Sequence, residues 1–163
     1  QAGKIRHLGL SISKKQNIYQ VDSATRVGAK TIQIVYNRLD RKAEEEVLPS
    51  AIRQDLGVLA RVPLASGYLS GKYKPGATFD ANDVRHREDP KERDELLELV
   101  EKIRREEVPE GVPMATWALA WCLSHPGVTC VIPGCKSPEQ MIENAKAADL
   151  DMVSEAHPQA WKD

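Results

Sequence analysis

The chain has 163 residues and a formal net charge of −1, which fits one domain of ordinary size. With 41% hydrophobic residues and three tryptophans, it has enough apolar side chains for a core. Its positive and negative charges are nearly balanced and interleaved, which excludes the basic surface typical of nucleic-acid binding. No apolar run approaches the roughly 20 residues that a membrane span requires.

The cysteines and the first residues bear on the compartment. Cys122, Cys130 and Cys135 form no C-x-x-C pair, and their odd number favours reduced thiols over a disulfide framework or a metal site. Residues 1–4 have neither an initiator methionine nor the pattern of a signal peptide. We therefore expect a cytoplasmic chain that is a processed product, an excised fragment or the ordered part of something longer.

Strands and helices alternate in the first part of the sequence. Apolar residues over 5–12 predict a buried strand, and the apolar spacing over 16–27 predicts a helix. The β-branched segment 31–36 predicts a second strand. A helix is predicted over 43–54, where three glutamates lie near the positive end of the helix dipole. A third strand is predicted over 57–63.

A long polar loop, 65–88, separates these elements from the next ones, and loops of this length are usually functional or disordered. Asp89 and Pro90 then predict a helix start, with Asp as the N-cap and Pro as the first helical residue. A further helix is predicted over 113–123, followed by a fourth strand over 128–132.

The segment after the fourth predicted strand is the strongest local feature. Gly134 lies in a short turn, and Ser137 and Gln140 have the spacing of a capping box at the start of a helix. The first turn of a helix presents unpaired N–H groups and attracts anions. Lys136 lies immediately before it. The residues fit a phosphate site, and they also fit an ordinary capped junction with an incidental lysine.

The order of elements indicates the fold class. With a short terminal helix predicted from Ser154, strands and helices alternate along the chain, which argues for a parallel sheet covered by helices. Two architectures fit. One is a doubly wound sheet that binds phosphate, and the other is part of a (β/α)8 barrel, a fold that needs about 250 residues when complete.

Four segments resemble the aldo-keto reductase family, in the order of barrel strands five to eight. They are Gly3-Lys4-Ile5-Arg6-His7-Leu8-Gly9-Leu10-Ser11, then Gln33 with Tyr36-Asn37-Arg38-Leu39, then residues 63–73, and then residues 132–144. The match extends over nearly the whole chain. The resemblance implies an α/β fold in which residues 1–163 form the C-terminal half of a (β/α)8 TIM barrel.

The resemblance also implies an NADP(H) site near the ends of the strands. Ser11 and Gln33 would hold the nicotinamide carboxamide, although Ile12 replaces the asparagine that usually helps them. Arg61 stands where an aromatic residue often stacks on the nicotinamide. The other implied contacts are Pro63, Leu64 and Ser66 for the pyrophosphate, Lys136, Gln140 and Ser137 for the adenosine 2′-phosphate, and Glu143 and Asn144 for the adenine or its ribose. Gly134, in the turn before them, is also a cofactor-binding residue in the resemblance.

Enzymes of this family use an Asp, a Tyr, a Lys and a His that belong to the first half of the barrel. The resemblance therefore implies a complete NADP(H)-dependent reductase of aldehydes or ketones, in which this chain holds the cofactor and is inactive alone. Its loop 65–88 would clamp the pyrophosphate. The alternative is a non-catalytic nucleotide-binding subunit or module of the same fold.

A half barrel would need a partner, either the missing N-terminal half or a second copy of the chain. The strands around Leu8 and Val131 would each lose a neighbouring strand. We also expect the side chains of Val58, Leu59 and Val131 to lose the opposite barrel wall, so that the chain is not a stable monomer.

Overall fold

The computed structural model of the protein describes residues 3–150 and contains a four-stranded parallel sheet. Its strands are β1 (Leu8–Ser11), β2 (Ala29–Val35), β3 (Gly57–Arg61) and β4 (Cys130–Ile132). They lie side by side in the order β1-β2-β3-β4, and each neighbouring pair is parallel. A doubly wound sheet reverses its strand order at a switch point. The doubly wound alternative is therefore wrong, and the order is that of consecutive strands in a barrel.

Within residues 3–150, five α-helices connect or follow the strands. They are α1 (Ile18–Asp22), α2 (Val47–Arg53), α3 (Pro90–Glu106), α4 (Met114–Leu123) and α5 (Pro138–Ala145). Short 3-10 turns lie at Thr25–Val27, Lys42–Glu44, Ala65–Ser70, Val84–Arg87 and Lys146–Asp149. The terminal helix predicted from Ser154 lies outside the described residues. No helix within 3–150 is long and apolar enough to cross a membrane.

The helix predicted over 43–54 is wrong at its start. The α-helix begins at Val47, after a separate 3-10 turn that ends at Glu44. Pro49 explains the difference, because proline has no N–H to donate and is tolerated only in the first helical turn. A helix from residue 43 would place this proline in its interior. The helix predicted over 16–27 is likewise divided, into α1 and a 3-10 turn.

The two faces of the sheet have different surroundings. On one face, Ile32, Ile34, Val58 and Ala60 are fully buried in the same core as the helices. Successive side chains on a strand point to opposite faces, so their neighbours in sequence line the other face. Two rows of paired positions cross that second face: Ser11, Gln33, Leu59 and Cys130, and then Val35, Arg61 and Ile132. We call it the open face, because most of its side chains remain exposed or half-buried.

The expectation that Val58, Leu59 and Val131 all face the barrel interior is wrong for two of the three residues. Val58 is fully buried, and Val131 packs against the helix-side core. Only Leu59 of the three predicted residues lies on the face that a barrel interior would cover. The sequence shows that these residues alternate, but it does not show which set points toward the helices.

Helices α3 and α4 follow the sequence closely. The Asp89 carboxylate accepts hydrogen bonds from the N–H groups of Lys91 at 2.9 Å and Glu92 at 3.2 Å, which confirms the predicted N-cap. The apolar stripe of α3 is buried as its spacing predicts. Trp117 and Trp121 of α4 are fully buried and supply the largest side chains of the core.

Loop 65–88 has a small core of its own, which its polar composition did not predict. The Arg85 side chain donates to the Asp83 carboxylate at 2.8 and 2.6 Å, and Arg85 is only 8% exposed. Its guanidinium carbon lies 4.2 Å from the ring centroid of Phe79 and 4.4 Å from that of Tyr73. Tyr68 packs edge-on against both rings. This packing gives the loop a defined shape.

Replacing Arg85 with leucine should loosen the loop. The substitution removes the partner of Asp83 and the cation–π contacts, so we expect faster hydrogen exchange across residues 68–85 and a loss of roughly 1–3 kcal/mol in unfolding free energy. The exposed Arg87 is the matched control, since Arg87→Leu should stay within about 0.5 kcal/mol of the parent. Equal exchange rates in the two variants would show that Arg85 does not hold the loop.

The pKa of Asp83 sets the pH range over which its ion pair with Arg85 stabilises the loop. Hydrogen bonds from Arg85 hold the pKa of the Asp83 carboxyl well below its usual range. The contribution is therefore fully present at neutral pH and is lost only as the pH falls through the lowered value.

The free edges and the open face should cause self-association. Within residues 3–150, β1 and β4 each pair with one strand only, and Ile132 of β4 is 39% exposed. Free edges with apolar side chains recruit other chains. Light scattering on the 163-residue chain should give a mass above 18.1 kDa, and Ile132→Lys should reduce it. A monomer of that mass with cooperative melting would contradict this expectation.

Candidate functional site

The ends of β1 and β2 bring Ser11 and Gln33 together. The two are paired in the sheet register, and Gln33 Nε2 lies 3.5 Å from Ser11 Oγ, the long limit of a hydrogen bond. Both side chains are on the open face, Ser11 exposed and Gln33 half-buried. A hydroxyl beside an amide offers both donors and acceptors. The pair can therefore exchange hydrogen bonds with a planar amide above the strand ends.

Ile12 takes no part in this polar pair. Its backbone N–H donates to the Gln33 carbonyl at 2.9 Å and so extends the pairing of the strands. Its side chain is 1% exposed and belongs to the helix-side core. The position where the family usually has asparagine therefore supports the sheet rather than the open face.

Arg61 ends β3 in the second row of the open face. Its Nη2 lies 3.5 Å from the carbonyl oxygen of Ile12, and the residue is half-buried. Its Nε is buried without a hydrogen-bond partner. Within residues 3–150, Arg61 forms no ion pair with a carboxylate.

A tight turn follows Arg61. Val62, Ala65 and Ser66 have positive φ values of 56, 48 and 55°, a region that non-glycine residues seldom adopt and that is common at functional sites. The turn leaves Pro63 buried, Leu64 half-buried and Ser66 exposed.

Asn37 holds this turn, and the sequence reasoning gave it no role. It is 3% exposed, and its Nδ2 donates to the Val62 carbonyl at 3.0 Å. Its Oδ1 accepts from the N–H groups of Leu39 and Asp40, both at 2.9 Å. Asparagine after a strand is a signal for such a turn, but the bond to Val62 joins residues far apart in the sequence.

The start of α5 has the predicted cap. Ser137 Oγ accepts from the Gln140 N–H at 3.3 Å. The return bond differs from a standard capping box, since Gln140 Oε1 accepts from the Lys136 N–H at 2.8 Å rather than from the cap residue itself. Nothing lies within 4 Å of the position that a Gly134 side chain would take, so the turn is open.

Lys136 lies close to loop 65–88. Its charge helps to lower the pKa of Asp83, after the larger effect of Arg85. The Lys136 side chain is exposed and forms no ion pair with residues in the described range 3–150. The loop after β3 and the turn after β4 therefore approach each other near the C-terminal ends of these two strands.

The last two predicted site residues lie on α5. The Glu143 carboxylate accepts from Lys146 Nζ at 2.6 Å and from Thr116 Oγ1 of α4 at 3.4 Å. Neither partner follows from the sequence pattern of α5. Asn144 is half-buried beside Glu143.

Tyr36 and His125 are buried in the core rather than on the open face, and Tyr68 lies in loop 65–88. Tyr36 Oη donates to Glu44 at 2.8 Å in the core, and burial raises its pKa. Burial also lowers the pKa of His125, whose Nδ1 accepts from the Gly127 N–H at 2.9 Å. Tyr68 donates to Glu88 in the loop. No group of three or more potential ligands within 3–150 is placed to hold a metal ion.

Known proteins resemble this chain in sequence. The model of the Aldo/keto reductase family matches residues 1–161. A probable voltage-gated potassium channel subunit beta from Oryza sativa subsp. japonica is 35% identical over 130 residues, which are 76% of this chain and 40% of that protein. An aldo-keto reductase of Schizosaccharomyces pombe, yakc, whose name includes NADP(+), is 27% identical over 93% of this chain and 46% of its own length.

A solved structure agrees with the sequence matches. The glycerol dehydrogenase AKR11B4 from Gluconobacter oxydans superposes with a TM-score of 0.73 at 26% identity, over 97% of this chain and 48% of that one. The chain thus spans about half the length of the proteins that it matches.

Proposed function

Because the chain belongs to the aldo/keto reductase family, we propose that it is the cofactor-binding, C-terminal half of a carbonyl oxidoreductase barrel. Its four strands correspond to strands five to eight in this proposal. The observation that carries it is the convergence of a polar pair, a strained turn and a capped helix start at the same end of four consecutive parallel strands. Barrel enzymes bind their substrates at this end.

The residues at this end fit NADP(H). Ser11 and Gln33 suit a carboxamide, while Lys136 and the open turn at Gly134 suit a phosphate at the start of a helix. Between them, Ser66 and the turn after β3 would border the pyrophosphate. When bound, the cofactor supplies the hydride for an aldehyde or ketone, and this chain holds and orients the cofactor. The name of the S. pombe relative supports the phosphorylated form.

The open face is the surface on which a barrel partner would pack. In this proposal, the N-terminal half covers Gln33 and Leu59 and brings the Asp, Tyr, Lys and His of the family to the carbonyl. A second copy of the chain is the other candidate partner. The 163-residue chain alone would then turn over no aldehyde. The complete polypeptide, meaning this chain together with the N-terminal half of the barrel, would turn it over.

A second candidate function rests on the rice relative. Its name, a probable potassium channel subunit beta, indicates that proteins of this family also serve as subunits of other assemblies. The chain would then bind nucleotide without turnover. NADPH oxidation by the complete polypeptide with an aldehyde separates this function from the reductase.

Lys136→Ala should weaken binding of NADPH and leave NADH nearly unchanged. The lost charged hydrogen bond to the 2′-phosphate should cost on the order of 1.5–3 kcal/mol. Fluorescence titrations of the complete polypeptide measure both affinities. Lys30→Ala, at an exposed lysine near the other end of β2, is the control. An equal loss for both cofactors would remove Lys136 from the 2′-phosphate site.

A further inference from the structure

We propose that Arg61 forms an anion subsite that selects carbonyl substrates carrying a carboxylate close to the reacting carbon. The inference rests on the proposed function and adds a substrate class to it. Arg61 lies on the open face, in the row of paired positions next to the one that holds Ser11 and Gln33. It is therefore beside the place assigned above to the nicotinamide.

Arg61 has no counter-ion among residues 3–150. Arg38, Arg41 and Arg85 are also partly shielded from solvent, and each has a carboxylate at 2.6 to 2.7 Å. Arg93 likewise has an unpaired Nε, but its guanidinium carbon lies 5.5 Å from the Phe79 ring centroid. Arg61 instead has a carbonyl oxygen at 3.5 Å and a buried Nε without a partner, within the part of the chain that is described. A guanidinium shielded from water without an anion is unfavourable. An incoming carboxylate would relieve this cost.

The direction of the side chain distinguishes a substrate from a cofactor phosphate. Arg61 belongs to β3, yet its guanidinium reaches the carbonyl of Ile12 at the end of β1. Those strands are about 10 Å apart, two strand spacings, so the side chain extends across β2. It therefore points away from β4 and the Gly134–Ser137 turn. Its charge lies at the end of the sheet where the carboxamide and the substrate would meet.

Arginine suits a carboxylate at this position. Its planar fork can donate two parallel hydrogen bonds to one carboxylate and thereby fix the orientation of the substrate. A neutral aldehyde would gain nothing from the same group. The subsite therefore predicts a preference for acidic aldehydes over neutral ones of the same shape.

Two aldehydes of similar shape, one charged and one neutral, test the subsite: 2-carboxybenzaldehyde, whose carboxylate is on the ring carbon next to the one that bears the aldehyde, and its methyl ester, methyl 2-formylbenzoate. Binding of each to the complete polypeptide is measured by calorimetry, with and without NADPH, and followed by kcat/KM where turnover occurs. Arg61→Gln should weaken binding of the acid by about tenfold or more, the loss expected for a charged hydrogen bond. The ester should change less than about twofold, and Arg61→Lys should restore part of the affinity for the acid.

Arg53→Gln is the matched control, since it removes the same charge from an exposed position on α2. Equal losses for acid and ester in Arg61→Gln would overturn the proposal and make Arg61 a packing residue. A loss of NADPH affinity alone would overturn it in favour of a cofactor contact. Failure of the parent protein to bind NADPH would refute the proposed function, while the acid-to-ester difference would still decide the subsite.

Discussion

The alternation of side chains along four parallel strands determines the rest of the described structure. One set of alternate residues, including Ile32, Ile34, Val58 and Ala60, is buried against the helices. The other set lines the open face and carries Gln33 and Arg61. Because the strands are parallel, all four end at the same edge. A single geometric rule thus separates the residues that stabilise the fold from those that can meet a ligand.

Long-range hydrogen bonds fix the loops at that edge. Asn37 joins the turn after β2 to the turn after β3 through the Val62 carbonyl, and Arg85 gives loop 65–88 its own aromatic core. Lys136 then lies close enough to Asp83 to influence its pKa. These contacts preorganise the loops, so a ligand would meet surfaces that already have their shape.

Local sequence signals predicted the parts of the fold that depend on local interactions. The caps at Asp89 and Ser137 are present as expected, because a cap depends on residues two or three positions away. The apolar runs predicted the strands. The face of the sheet on which Val58 and Val131 lie depends instead on how the whole sheet packs. The predicted start of α2 is wrong because the apolar spacing favours a helix from residue 43, whereas Pro49 is tolerated only in the first helical turn.

The candidate site was predicted unevenly for the same reason. The resemblance named Ser11 and Gln33, and the structure brings them together. Asn37 and Arg85 were missed because their roles depend on partners that the sequence does not place beside them. The lack of a counter-ion for Arg61 within residues 3–150 likewise depends on which residues surround it in the fold, and the sequence does not show this.

The central claim is that the edge formed by the four strand ends binds NADP(H). Hydrogen exchange of the complete polypeptide with and without NADPH tests it most directly, because it locates the bound cofactor on the chain. If NADPH binds there, exchange should slow at residues 62–67 and 135–140, with no change at residues 29–31 at the opposite ends of the strands. Protection confined to the helix side, or none at 135–140 at saturating NADPH, would contradict it.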